Sequence, residues 1–227
     1  MAPDLPYFLP IHVSRDFTHS LPGAVTVDLA LSLVLWAAWV AIMRAPLVDY
    51  APRWVAERMT RHTGIPQRSV VASVAIVVAA VEIGIATHLA WDAVTHGGWL
   101  TTLFPVLTSV VAGYPLVLWL HIGSSLVGLV ILVLWIRLWW RRSPPVARST
   151  GIIGSGERRW ALRSSIALLI TVSLAIWIRG LVSGHHPADE SVLFVALVVP
   201  ISVVVAAAFV ACVIWHVRMR TARTIRG

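Results

Sequence analysis

From Ser191 to Trp215 the chain runs without a single Asp, Glu, Lys or Arg side chain. A run this long and apolar has few places to go. About 20 apolar residues, rising 1.5 Å each, carry a helix across the hydrocarbon of a bilayer. In lipid the backbone must satisfy its own N–H and C=O groups, which a helix does within one segment. Four further runs are of similar length and apolar character, at about Ala24 to Met43, Val70 to Trp91, Leu116 to Ile136 and Ser164 to Val182, three of them with a single charged residue, Asp28, Glu82 and Arg179. With 58% hydrophobic and only 12% charged residues, the chain reads as an integral membrane protein. The expected fold class is all-α: a helical bundle with about five transmembrane helices, at residues 24–43, 70–91, 116–136, 164–182 and 191–215. The whole of 1–227 is read as a single membrane domain, and Pro200 predicts a kink in the last span.

One apolar piece fits less simply. "WLTTLFPVLTSVVAGYPL" is broken by Pro105, Gly113 and Pro115, and reads as a short interfacial or re-entrant segment. A full span there would place every later loop on the other side.

Arginine gives the chain a direction. All 18 basic residues are Arg, and 16 of them fall in 44–69, in 137–163 or after the fifth span in 216–227. Five spans put these three segments on one side, which the positive-inside rule makes the cytoplasm. The expected topology is multi-pass, with the C-terminus cytoplasmic and residues 1–23 at the outer face. This distribution also accounts for the net charge of +8. No soluble basic domain or aromatic-interleaved basic face points to nucleic acid. The N-terminus lacks the basic region and apolar core of a signal peptide. The single Cys212 lies in an apolar run, with no second cysteine to pair with.

The opposite face is rich in metal-binding side chains. It receives Asp4, His12, Asp16 and His19, then His88, Asp92 and His96, and the loop "SGHHPADES" with His185, His186, Asp189 and Glu190. Asp28 lies just inside the first span.

His88, Asp92 and His96 recur every four residues, so on a helix each is offset by roughly 40° from the last and the three share a stripe. A His and an Asp one turn apart can chelate one divalent ion. His88 and His96 would stand roughly 12 Å apart along a straight helix, too far to share one. Gly97-Gly98 is expected to end the helix and free His96 for a second ion or a substrate. The alternative is that these side chains bond headgroups and water, with Trp91 and Trp99 as interfacial anchors. Ionisable residues inside a span are more often functional, because their burial costs several kcal/mol.

The remaining candidates are weaker. Asp16 and His19 are three apart and can face the same way in "DFTHSLPG", although Thr18 and Ser20 suit a turn or an N-cap. Asp4 lies between two prolines on a rigid extended stretch. The "GHHPADE" loop, with His185 and His186, reads first as a solvated hairpin. Glu82, in mid-span, would be protonated or paired with His121 or Arg179. His62 and His216 read as structural.

In order along the chain, "PDLPYF", "FTHSLPG", "HLAWDAVTH" and "GYPLVLWLHIGSSLVGL" resemble a bacterial membrane family called domain of unknown function 4184, over roughly residues 3 to 135. The pattern is also similar to inner-membrane metal-dependent hydrolases, and the H-x-x-x-D step to the zinc-holding helix of bacterial phospholipase C. That resemblance implies Asp4, His19, His88 and Asp92 as metal ligands and a zinc-type divalent cofactor. Family members usually carry a Ser-His pair before "PD". This chain starts two residues before Pro3, so either its start lies upstream or a ligand is lost, and a hydrolytic zinc site needs three ligands and an open position.

The leading expectation is therefore a metal-dependent hydrolase at the outer face, with His96 as the catalytic proton shuttle or a second-ion ligand. Its partners would be the lipid bilayer and a phosphoester or phospholipid headgroup. The alternatives are a non-enzymatic scaffold or small transporter built on the same polar residues, and a cytochrome with haem between His88 and His121.

Overall fold

A computed structural model describes residues 2–9, 13–59, 70–96, 99–146, 152–186 and 189–224. Gly97-Gly98, His12, His62, Arg61, Arg68, Arg148 and Arg226 lie outside the described residues. Five helices are long and apolar enough to cross a membrane. They are α1 (Leu21–Tyr50), α2 (Val70–Thr95), α3 (Leu116–Arg142), α4 (Ser155–Val182) and α5 (Glu190–Thr224). The chain is an all-α membrane bundle.

Each helix is longer than its apolar run. The helices continue through flanking polar residues because backbone hydrogen bonding does not stop where the lipid does. Among the described residues, α3 has no buried side chain, and Leu126, Ile131 and Trp135 are all more than half exposed. Such a surface suits lipid as the solvent, where apolar exposure carries no hydrophobic cost. In α1 the bonding widens to i→i+5 over Ala24–Asp28 and Trp39–Met43, and the fully buried Asp28 lies on the first of these turns.

The apolar piece after α2 is a five-residue helix (Trp99–Leu103), a 3₁₀ turn (Pro105–Thr108) and a two-stranded hairpin, β1 (Val110–Val111) and β2 (Tyr114–Pro115). Ala112 and Gly113, at φ 49° and 86°, form its tip, as a tight two-residue hairpin requires. Trp119 Nε1, one turn into α3, donates to the Val111 carbonyl at 2.9 Å and ties the hairpin to that helix.

Contacts divide the chain into two compact units: 1–3, 14–33 and 65–144, and 4–13, 34–64 and 145–227. In the first, α2 packs on α3 and on the start of α1. Trp91 Nε1 donates to Ser124 Oγ at 3.2 Å across the α2–α3 contact.

In the second unit α4 and α5 form a hairpin. Their approach is close at Gly180, where a Cβ would come within 2.7 Å of Val192 Cγ1. Helix α4 ends in a Schellman turn: His185 N donates to Gly180 O and Gly184 N to Leu181 O, with Gly184 at φ 84°. Asp189 then caps α5 by accepting from the Ser191 and Val192 amides at 2.9 and 3.3 Å. The polar loop between the two helices is thus largely capping chemistry.

The same unit holds a buried ion pair. Asp49, with no exposed surface, accepts from Arg158 Nη2 at 3.3 Å and from Trp215 Nε1 at 2.8 Å, joining α1, α4 and α5. His216 Nε2 donates to the Ile42 carbonyl at 3.0 Å, a structural bond between α5 and α1.

Candidate metal centre

The segment "SRDFTHSLPG" folds into two tight turns that present His19. Ser14 caps the short helix Arg15–Thr18 through the Phe17 amide. Thr18 is fully buried and donates to the Arg15 carbonyl at 3.1 Å. Ser20 donates to the Phe17 carbonyl and accepts from the Gly23 amide. Gly23 is required by close approach, since a Cβ there would lie 1.9 Å from the Phe17 carbonyl oxygen. The hydroxyls and the glycine of this motif build a scaffold for one imidazole.

That imidazole has a defined orientation. His19 Nδ1 lies 3.0 Å from the Arg15 carbonyl oxygen, which can only accept, so Nδ1 carries a proton and Nε2 is the ring nitrogen that can serve as a ligand. Fixing one ring nitrogen on a backbone carbonyl to free the other is how proteins prepare histidine to bind a metal.

His88 lies two turns from the end of α2, and its ring centroid is 5.9 Å from that of His19. Asp4 is carried by the 3₁₀ turn Ala2–Tyr7, which begins in the first unit; the division of contacts falls inside this turn, after Pro3. Asp4, His19 and His88 each offer one ligand atom, and these atoms lie within 4.8 Å of one another. A tetrahedral zinc-type ion with bonds of about 2.1 Å sets its ligands about 3.4 Å apart, so small side-chain adjustments would close this set around one. Two imidazoles and a carboxylate suit such an ion and leave a fourth position open. The cluster can hold a metal.

Asp92 stands beside this trio and is heavily engaged. Its Oδ2 accepts from Arg15 Nη2 at 2.7 Å and lies 3.5 Å from His19 Nε2, while its Oδ1 is 2.7 Å from His96 Nδ1. An ionised carboxylate only accepts, so His96 Nδ1 carries a proton toward Asp92, which leaves Nε2 as the ring nitrogen for proton exchange. His96 follows the last residue of α2, its ring within 3.0 Å of Thr95 Oγ1 at Nδ1 and 4.8 Å from the His121 ring centroid. A half-exposed histidine held by a carboxylate is the arrangement general acid–base chemistry uses.

The structure thus gathers Asp4, His19 and His88, and places Asp92 and His96 next to them. Asp16 is exposed and, among the described residues, makes no contact with the cluster. His185 lies in the α4–α5 turn of the second unit, its Nδ1 3.3 Å from the Gly180 carbonyl, and the exposed His186 follows it. Glu82 is half-buried in mid-α2, one and a half turns before His88, with no ion-pair or hydrogen-bond partner among the described residues. Sequence reasoning missed Arg15. The available signal was its position, as one of two arginines outside the arginine-rich segments and four residues before His19.

None of the curated proteins or solved structures compared with the chain matches it. One family does match, described as "Domain of unknown function (DUF4184)", and it covers residues 1–217. With nearly its whole length matched, this chain belongs to the DUF4184 family.

Proposed function

We propose that the chain is a membrane-embedded, metal-dependent hydrolase of phosphoesters or lipid headgroups, working at the outer face of a bacterial cytoplasmic membrane. The observation that carries this reading is the meeting of Asp4, His19 and His88 within ligand distance of one another, beside the Asp92–His96 pair. In it, Asp4, His19 and His88 hold a zinc-type ion, which when bound supplies Lewis-acid charge to the reacting group. Asp92 acts as a positioning residue rather than a ligand, because Arg15 and His96 already occupy its two oxygens. Held through Nδ1, His96 takes or gives a proton at Nε2. The arginine distribution supports the orientation, placing the C-terminus in the cytoplasm.

A second reading keeps one observation in its favour. The Arg15–Asp92 ion pair fastens the N-terminal turn to α2 across 77 residues of sequence, as a purely structural clasp would. Metal analysis and a phosphoester screen on purified protein separate the two. The hydrolase reading expects bound metal and turnover lost in His96→Ala; a metal-free, inactive chain would leave the scaffold.

A further inference from the structure

Beside the His19–Asp92 contact the first unit has a cavity of about 490 Å³. Arg15, His19 and Asp92 form its polar wall, and Leu21, Leu89 and Ala93 are among the apolar residues that make the rest. Arg15 is the only arginine in this lining, and its side chain is 44% exposed. Among the described residues its guanidinium makes one contact, from Nη2 to Asp92. A guanidinium offers five N–H donors in a rigid fork, so most of Arg15's remain for a ligand.

We infer that Arg15 is the anion-binding residue of this site, and that the ligand it takes is a phosphate-headed amphiphile. Three observations lead there. Arg15 Nη2 holds Asp92 Oδ2, which itself lies 3.5 Å from His19 Nε2, so the guanidinium stands one carboxylate away from the metal-binding trio and one phosphate with several terminal oxygens can be shared between them. The cavity falls within the size range of small-molecule sites and is far larger than a lone phosphate needs. Its apolar wall continues onto Leu21, which is 80% exposed at the first turn of a membrane-spanning helix. A tail leaving the cavity past Leu21 therefore runs along the surface that faces lipid.

The Asp92 carboxylate balances the Arg15 charge and holds the side chain against the cavity wall. A phosphate can approach the unused edge of the fork without breaking that bond. Arg15 is thus a specificity-determining residue, selecting anionic heads over neutral ones. This inference rests on the hydrolase reading for its link to turnover, and on Arg15 and the cavity it lines for its link to binding.

The test is binding to the purified full chain in a neutral detergent, with and without a chelator. The probes are short-chain phosphatidic acid, the matching diacylglycerol and inorganic phosphate. Phosphatidic acid is expected to bind best, and Arg15→Ala to weaken it by roughly ten- to a hundredfold, as the loss of charged hydrogen bonds implies. Diacylglycerol should bind weakly and equally to both. Arg15→Lys keeps the charge, loses the fork and should fall between. Equal phosphatidic acid affinity in wild type and Arg15→Ala overturns the assignment. Inorganic phosphate binding as tightly as phosphatidic acid overturns the amphiphile and leaves a free-phosphate site. If Arg15→Ala does not fold, wild-type affinity in Arg15→Lys overturns it instead. Metal content of the same samples separates the two claims: Arg15-dependent binding in a metal-free chain keeps the subsite and sinks the hydrolase, and metal with Arg15-independent binding does the reverse.

Discussion

Asp92 Oδ1 lies 2.7 Å from Nδ1 of His96, one helical turn further along, while the other oxygen of the same carboxylate is held at 2.7 Å by Arg15. One side chain thus fixes both a candidate proton carrier and a candidate anion binder, next to three residues that can close on a metal.

Asp92→Asn separates positioning from ligation. The amide cannot accept from both Arg15 and His96 as the carboxylate does, so His96 loses its fixed tautomer. The variant should retain metal while phosphoester turnover falls by roughly 10²- to 10⁴-fold, the usual contribution of general acid–base catalysis. Metal analysis beside turnover reads this directly. Loss of the metal itself would return Asp92 to the ligand set.

Gly23→Ala tests the turn under His19. A methyl group 1.9 Å from the Phe17 carbonyl cannot be accommodated without moving the backbone that sets His19. We expect a destabilisation of about 1–3 kcal/mol, as for overpacking, together with weaker metal binding. Thermal melts and zinc titration measure both, and wild-type metal affinity would detach the turn from the site.

The Asp49–Arg158 pair is a stability element of the second unit. Arg158→Ala removes the guanidinium that faces the buried Asp49 carboxylate, at a cost of about 3–5 kcal/mol. Adding Asp49→Asn should recover much of the loss, which a double-mutant cycle on the melting temperature would measure.

Asp189 gives a pH dependence outside the spans. Hydrogen bonds from the Ser191 hydroxyl, and then the Val192 amide, hold its carboxyl below the usual carboxylate range. A carboxyl lowered by folding adds stability that is present above its ordinary pKa and fades as pH falls through the folded value. The first turn of α5 should therefore fray only under acid conditions. Amide hydrogen exchange at Ser191 and Val192 should rise there in the wild type and lose that pH dependence in Asp189→Asn.

The five long helices were legible because lipid imposes a crude rule, about 20 apolar residues each, that composition alone reveals. His88 was legible as a ligand candidate because helical spacing put it on one stripe with Asp92. What Asp92 does was not legible. Its decisive partner, Arg15, lies 77 residues away, and no periodicity encodes a contact that depends on where a tight turn docks. The family resemblance implied Asp4, His19 and His88 as ligands, but not how His19 is set, which depends on Gly23 and the Thr18 and Ser20 hydroxyls, residues that read locally as ordinary turn residues. The hairpin at Val110–Pro115 was hidden by its own apolar composition, with Ala112-Gly113 as a weak turn signal.

The central claim is that Asp4, His19 and His88 hold one metal ion, and metal content is its most direct measurement. Detergent-purified protein should carry a stoichiometric zinc-type ion, lost in His19→Ala and in His88→Ala and sharply reduced in Asp4→Asn, with each variant still folded by circular dichroism. Folded variants that retain full metal, or a wild-type chain that binds none when zinc or manganese is supplied, would contradict it.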